Sequence, residues 1–243
     1  MILFISDLHL SPKTPGATRI FLEFLGGRAR AAEQLFILGD LFEAWSGDDC
    51  IDDTTEPFNA EIVNALHALT ASGVELSLIH GNRDFLLGDQ FAARSGARLL
   101  ADPYVLSLPA WQFVLSHGDS LCTDDHDYQA FRLQVRDPAW RSTFLAKPLP
   151  ERKAIANALR QQSESSKRGK AQSLMDINPG ATEDFLREHG YATFIHGHTH
   201  RPATHDHIVD GIHVERWVMA DWHETHGECL CWDGEQLTRE GLT

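Results

Sequence analysis

Five short polar patterns stand in this 243-residue chain, each just after a run of apolar residues. Ile2 to Ile5 leads to Asp7-Leu8-His9, Leu35 to Leu38 to Gly39-Asp40, and Leu76 to Ile79 to Gly81-Asn82-Arg83-Asp84. Phe113 to Leu115 leads to His117-Gly118-Asp119, and Phe194-Ile195 to Gly197-His198-Thr199-His200. Apolar runs this short, bounded by glycine and charge, read as buried strands. In layered α/β folds the functional groups gather beyond the carboxyl ends of such strands. Five decorated strand ends therefore predict one site. Its seven ligand-type side chains are Asp7, His9, Asp40, Asn82, His117, His198 and His200, enough for two metal ions.

Between the runs lie stretches with helical spacing. Thr18 to Ala32 places Ile20, Phe21, Phe24 and Leu25 on one face, and Pro57 to Ala71 does the same with Phe58, Ile62, Leu66 and Leu69. Phe85 to Arg94 reads as a third helix. The alternation predicts an α/β fold with a layered core flanked by helices. After Ile208, Asp210-Gly211 and Asp233-Gly234 each separate two strand-like runs, a hairpin signal that adds antiparallel strands near the C-terminus. Met1 to Ile5 lacks a basic flank and reads as a first strand, not a signal peptide. No apolar run approaches the roughly 18 residues that span a bilayer. The four cysteines have no disulfide-scaffold or metal spacing, and Cys229-x-Cys231 reads as ordinary strand residues, so a reduced, cytoplasmic setting is expected.

Charge divides the chain. The net charge of −14 argues against general nucleic-acid binding, since phosphate backbones require a basic surface. Yet His126 to Asn178 holds ten Lys or Arg against five Asp or Glu, while the remainder holds eleven against thirty. Within this basic stretch Tyr128, Phe131 and Val135 share a helical face, as do Trp140 and Phe144, then Ile155 and Leu159, with Lys147-Pro148-Leu149-Pro150 as a break. The expected organisation is a core of residues 1–124 and 180–243 carrying a helical cap insertion, 125–179. Ser163 to Ser173 reads as a polar, basic loop. The cap's cations suit an anionic substrate, and Phe131, Trp140, Phe144, Leu145 and Leu149 suit an apolar one; packing of the cap onto the core competes for the same residues.

The donor types narrow the chemistry. Residues i and i+2 of an extended segment face the same side, so Asp7 with His9, and His198 with His200, are each expected to serve one cavity. Carboxylate, imidazole and carboxamide together suit Mn²⁺, Fe²⁺, Zn²⁺ or Co²⁺ better than Mg²⁺ or Ca²⁺. Asp40 is the natural bridge, one oxygen to each ion. Two ions roughly 3.5–4 Å apart clamp the attacking and leaving oxygens of a phosphoryl displacement and acidify a water. Taken singly, each pattern is common, and Asp84 reads equally as a helix cap. His67, His126, His189, His205, His207, His213, His223 and His226 read as surface or core residues, and His80 and His196 as packing residues at strand ends.

The ordered blocks resemble those of the calcineurin-like metallophosphoesterases. Longer strings narrow the resemblance: Leu38-Gly39-Asp40-Leu41-Phe42-Glu43-Ala44-Trp45, His80-Gly81-Asn82-Arg83-Asp84-Phe85-Leu86-Leu87-Gly88, His117 to Asp125, and Ile195 to Pro202 are similar to the UDP-2,3-diacylglucosamine pyrophosphohydrolases of lipid A synthesis. That resemblance implies a metallophosphoesterase β-sandwich and a hydrolase using two Mn²⁺ at the cytoplasmic face of the inner membrane, as a peripheral protein. The substrate would be a UDP-linked diacylated glucosamine, split to UMP and the sugar 1-phosphate; no obligate protein partner is indicated. One ion would take Asp7, His9, Asp40 and His200, the other Asp40, Asn82, His117 and His198. Asp40, Asn82 and Arg83 would be catalytic. Asn82, Arg83, Asp125, Ser163, Lys167, Lys170 and His198 would meet the substrate. Met219-Ala220-Asp221 departs from the family pattern, in which a glycine usually precedes that position. The ligand set alone equally fits a phosphodiesterase or phosphatase acting on a small nucleotide or phosphoprotein. A non-catalytic scaffold on the same fold is opposed by the intact ligands.

Overall fold

A computed structural model describes the backbone of residues 1–167 and 176–243, and side chains of 1–161 and 176–243. Its strands form two sheets. The first joins β1 (Ile2–Ile5), β2 (Gln34–Ile37), β3 (Glu75–Ile79) and β4 (Arg98–Leu100) in parallel, and β1 pairs on its other side, antiparallel, with β10 (Gly227–Trp232), which pairs with β11 (Leu237–Leu242). The second runs in the order β5 (Tyr104–Ser107), β6 (Gln112–Ser116), β7 (Thr193–His196), β9 (Ile212–Val218), β8 (Ala203–Val209). Here β6, β7 and β9 are parallel, with antiparallel neighbours at both edges.

Each strand run is apolar throughout because both of its faces are covered. Phe4, Phe36, Leu38 and Ile79 point from the first sheet into a core shared with Phe113, Leu115 and Ile195 of the second. Leu3, Ile5, Leu35 and Ile37 point the other way, onto helices α1 (Pro15–Gly26), α2 (Phe58–Thr70) and α3 (Asp89–Ser95). Beyond the second sheet, Val114, Phe194 and Val214 meet Phe185 and Leu186 of the helix Pro179–Glu188. The result is the expected layered α/β sandwich flanked by helices, and its last hairpins divide between the two sheets. Asp210 (φ 52°) and Gly211 (φ 83°) make the left-handed two-residue turn that an Asp-Gly hairpin requires.

Helix limits differ from the sequence expectation for identifiable reasons. The first helix begins at Pro15, where a missing N–H costs nothing, and stops at Gly26; Arg28–Ala31 is a separate 3-10 turn. The third begins at Asp89, four residues later than expected. Leu87 N–H closes a turn onto Asp84 C=O (3.0 Å), and the Asp48 carboxylate, from a distant loop, accepts Gly88 N–H (3.0 Å) and Phe91 N–H (2.9 Å). That borrowed cap fixes the start, because it satisfies N–H groups a helix leaves open.

Between β6 and β7 the chain forms α4 (His126–Arg136), α5 (Pro138–Leu145) and α6 (Leu149–Lys167). Their cations face core carboxylates, which alters the reading of the charge asymmetry. The buried Arg152 donates to the carbonyls of Ser46 and Lys147 and pairs with Asp49; Lys153 pairs with Asp53 (2.6 Å) and Glu56 (2.7 Å). Arg132 and Arg136 both reach Asp119. Much of the basic excess therefore docks these helices onto an acidic core. Apolar contact assists: Trp140 and Phe144 stack (5.0 Å, 11°), and Trp140 meets Phe85. Arg152→Met removes charge-assisted bonds worth about 1.5–3 kcal/mol each; urea unfolding should show a loss of at least about 2 kcal/mol, and proteolysis should nick residues 126–160 first.

Candidate active site

The strand-end residues converge through a strained backbone. Among the described residues seven non-glycines have positive φ, and five of them are Asp7 (54°), His9 (49°), Asp40 (51°), His198 (67°) and His200 (54°). Each such conformation costs on the order of 1–3 kcal/mol and persists only where surroundings dictate it. The extended i, i+2 geometry expected for Asp7 and His9 is thus replaced by left-handed kinks. Backbone bonds hold them: Asp7 N–H donates to Gly39 C=O (3.1 Å), His9 N–H to Asp40 C=O (2.9 Å), and Trp222 N–H to Asp7 C=O (3.0 Å). Gly81 and Gly197 must lack side chains, because a Cβ there would collide with the carboxylates of Asp40 and Asp7.

Two groups of side chains result. In one, His9 Nε2 and His200 Nε2 stand 3.3 Å apart, with Asp7 Oδ1 3.3 Å from the His200 nitrogen. In the other, His117 Nε2 and His198 Nδ1 lie 3.1 and 2.9 Å from the same oxygen, Asn82 Oδ1. Asp40 stands between them, Oδ2 3.7 Å from His9 Nε2 and Oδ1 3.8 Å from His117 Nε2. Asp7-His9-His200 and Asp7-Asp40-His117 each bring their ligand atoms within 4.8 Å of one another. Asp7 Oδ1 is buried and accepts no well-aligned hydrogen bond. Lone pairs that converge on a space without a donor suit a cation.

Outer carboxylates aim the rings. Glu43 Oε2 is 3.1 Å from His9 Nδ1, and Asp221 Oδ2 is 3.1 Å from His200 Nδ1. Each leaves Nε2 directed inward, the arrangement that orients metal-ligating histidines. Burial works against the charge on His200, yet Asp221 and Asp7 outweigh it and push its pKa up to about 10. Burial also opposes ionisation of Asp7, but the close His200 ring and the His117 and His9 charges hold its carboxyl well below the usual range. Asp84 is not a helix cap: its two oxygens accept Gly81 N–H and Leu41 N–H, both at 2.8 Å, tying the Asn82 loop to the Asp40 loop. Sequence reading quoted Glu43 in the string after Asp40, and Asp221 after Met219-Ala220, but gave neither a role; their position beside the rings of His9 and His200 supplies it.

Asp119 serves the cap. Its Oδ2 accepts Tyr128 O–H (2.6 Å), Arg132 Nε–H (2.9 Å) and Arg136 Nη2–H (3.4 Å), and the Tyr128 ring stacks on His198 (5.8 Å, 27°). Between cap and core a cleft of about 270 Å³ is lined by Asn82, Arg83 and Asp125 and also by Phe131, Trp140, Phe144 and Leu159. Asp125 doubles as the N-cap of α4, accepting Tyr128 N–H. His198 faces Asn82 beside this cleft. The expected contacts at Ser163, Lys167 and Lys170 lie outside the described side chains. His196 and His80 are packing residues, as read: His196 is buried against Arg216, its pKa lowered to about 3 by burial, and His80 bonds Leu87 C=O.

A two-sheet sandwich with convergent carboxylates and imidazoles at its strand ends defines a phosphoesterase, and the chain belongs to the calcineurin-like phosphoesterase family, which matches residues 1–202. Within that family, it is similar along nearly its whole length to proteins named UDP-2,3-diacylglucosamine hydrolase. That of Aromatoleum aromaticum is 53% identical, covering 96% of this chain and 93% of its own. Those of Stutzerimonas stutzeri (48%, covering 91% of each) and Chromohalobacter salexigens (46%, covering 93% and 90%) are similar to the same extent of chain.

Asp84→Asn replaces one of two buried acceptors by a donor and leaves an N–H of Gly81 or Leu41 unpaired, at a cost of about 1–3 kcal/mol. Thermal unfolding should register that loss, and equilibrium dialysis should find weaker divalent-metal uptake, because the Asp40 and Asn82 loops are no longer joined.

Proposed function

We propose that this chain hydrolyses the pyrophosphate bond of UDP-2,3-diacylglucosamine, giving UMP and 2,3-diacylglucosamine 1-phosphate. The cleft carries the reading. One cavity is lined both by the polar pair Asn82 and Arg83 and by a wall of Phe131, Trp140, Phe144 and Leu159. A nucleotide or phosphoprotein needs no such wall, whereas a diphosphate joined to acyl chains needs both surfaces. The 53% identity to a hydrolase of that name supports the same substrate.

Asp7, His9, Asp40 and His200 would hold one Mn²⁺, and Asp40, Asn82, His117 and His198 a second; the buried Asp7 Oδ1, which accepts no well-aligned hydrogen bond, and the position of Asp40 between both groups fit this division. Bound there, the two ions would supply positive charge to the phosphoryl oxygens and acidify a water. The remaining work belongs to side chains. Arg83 neutralises charge that builds on the phosphoryl group, and Asn82 and His198 fix its orientation. Asp125, Ser163, Lys167 and Lys170 are assigned to substrate contact, and residues 125–179 to a cap on a core of 1–124 and 180–243. The apolar wall shields the acyl chains, and binding energy gathered there orients the diphosphate. We assign the protein a peripheral position at the cytoplasmic face of the inner membrane, where such a lipid resides. Exposed Leu133 and Leu145 on the cap support that position, and among the described residues no helix is long and apolar enough to cross a membrane.

Product analysis by mass spectrometry with Mn²⁺ should detect UMP and the acylated sugar phosphate; formation of UDP instead would reject the reading. Asp40→Ala should abolish turnover and lower bound metal, measured by elemental analysis, because two cations would lose their shared carboxylate. Arg83→Ala should retain metal while losing activity by about a hundredfold or more, the scale of one electrostatic donor. Shortened acyl chains should lower kcat/KM by roughly fourfold per methylene withdrawn from the apolar wall, at about 0.8 kcal/mol each.

A further inference from the structure

Glu43 stands where the core, the expected phosphate-binding arginine and the cap meet. Its two oxygens have different partners. Oε2 is 3.1 Å from His9 Nδ1, while Oε1 is 3.0 Å from Arg160 Nε on α6 and 3.8 Å from Arg83 Nη1. The backbone at this point is fixed, since Glu43 N–H donates to Leu10 C=O (3.1 Å). Only the side chain can respond when a partner moves.

We propose that Glu43 is a positioning residue that couples the seating of the cap to the aim of the His9 imidazole. A carboxylate is planar and rigid, so a shift of Arg160 that turns Oε1 must also turn Oε2. The ring whose Nδ1 stands beside Oε2, in ion-pair contact without a well-aligned hydrogen bond, presents Nε2 to Asp40 at 3.7 Å and Asp7 at 4.0 Å. The same carboxylate lies between two guanidiniums that both line the cleft, and offsets their mutual repulsion before an anion enters. Asp221 is the informative contrast. It faces His200 at the same distance, but among the described residues its other ion-pair contact is His223, outside α4–α6. Of these two ring-facing carboxylates, Glu43 is the one that also meets an arginine of α6. The substrate arm of its test rests on the proposed hydrolase activity; the metal arm does not.

Glu43→Gln separates the two duties, because a carboxamide has one acceptor oxygen and cannot serve His9 and the arginines together. Calorimetric titration of metal-free protein with Mn²⁺ alone should give a Kd raised about ten- to hundredfold, the usual effect of removing a residue that orients a ligand. Glu43→Asp, which keeps both acceptors, should recover part of that loss and replaces the Gln variant should the latter not fold. Arg160→Met, separated from the His9 ring by the Glu43 carboxylate, should shift the Mn²⁺ Kd severalfold in the same direction and raise KM for UDP-2,3-diacylglucosamine more than it lowers kcat. Combined with Glu43→Gln, its effect on the Mn²⁺ Kd should be smaller than the product of the single effects. A folded Glu43→Gln protein with wild-type Mn²⁺ affinity, or multiplicative effects in the double variant, would overturn the coupling. Failure of the wild type to split the substrate would instead overturn the proposed activity and leave the Mn²⁺ cycle to decide this inference.

Discussion

Asp7 and Asp40 are buried carboxylates packed among His9, His117 and His200, and much of the molecule is arranged to keep them there. Burying ionised groups is costly unless opposite charge and hydrogen bonds surround them. The cost is met by local geometry: Gly81 and Gly197 leave room for the two carboxylates, Arg83 N–H donates to Asp40 Oδ1 (2.8 Å), and His198 N–H to Asp7 Oδ2 (2.9 Å). The kinked residues add strain to that cost. Such strain is found where it serves a function, and here it turns three of the five strand ends, those of β1, β2 and β7, into one enclosure.

A second layer of charge surrounds the first. Glu43 and Asp221 each stand beside a histidine ring of the enclosure, His9 and His200, and Asp84 ties the Gly81 backbone to that of Leu41. Asp119 extends the same logic to the cap, where a single oxygen gathers Tyr128, Arg132 and Arg136. The acidic balance of the core and the basic balance of the insertion are two sides of one contact. These helices are consequently attached by ion pairs and by the packing of Phe144, Trp140, Leu149 and Ile155 on the core; Arg152 and Asp119 are buried, so ionic strength screens their pairs little.

The strands were legible because apolar runs with both faces covered leave a clear trace, and side chains of the five blocks that follow them do come together. The reason those residues meet was not legible. Left-handed φ at Asp7 and His9 leaves no mark on residue type, since no glycine stands beside either; Asp40 alone of the three follows one, Gly39. The start of α3 escaped for a related reason: its cap is Asp48, far away in sequence. The outer carboxylates were hidden too, because Glu43 and Asp221 gain their meaning only from rings brought to them by the fold. The cap's cations carried a real signal, but a surplus of charge does not say whether it faces a ligand or the rest of the protein. Arg152 and Lys153 face the protein.

The pairing of β1 has a consequence for how the molecule comes into being. This strand is interior, with β2 on one side and β10 on the other, so that Phe4 lies opposite both Phe36 and Leu230. Asp7 is further held by Trp222 N–H, and His200 by Asp221. Asp7 is therefore made well before Trp222 and β10, which hold it and its strand. Contacts so distant in sequence form late and slowly. The half-made chain thus exposes an unpaired β1 edge that awaits β10, a surface that invites association with other strands. Strand β10 follows His200 in the chain, so this edge closes only after the last side chain of the enclosure has been made.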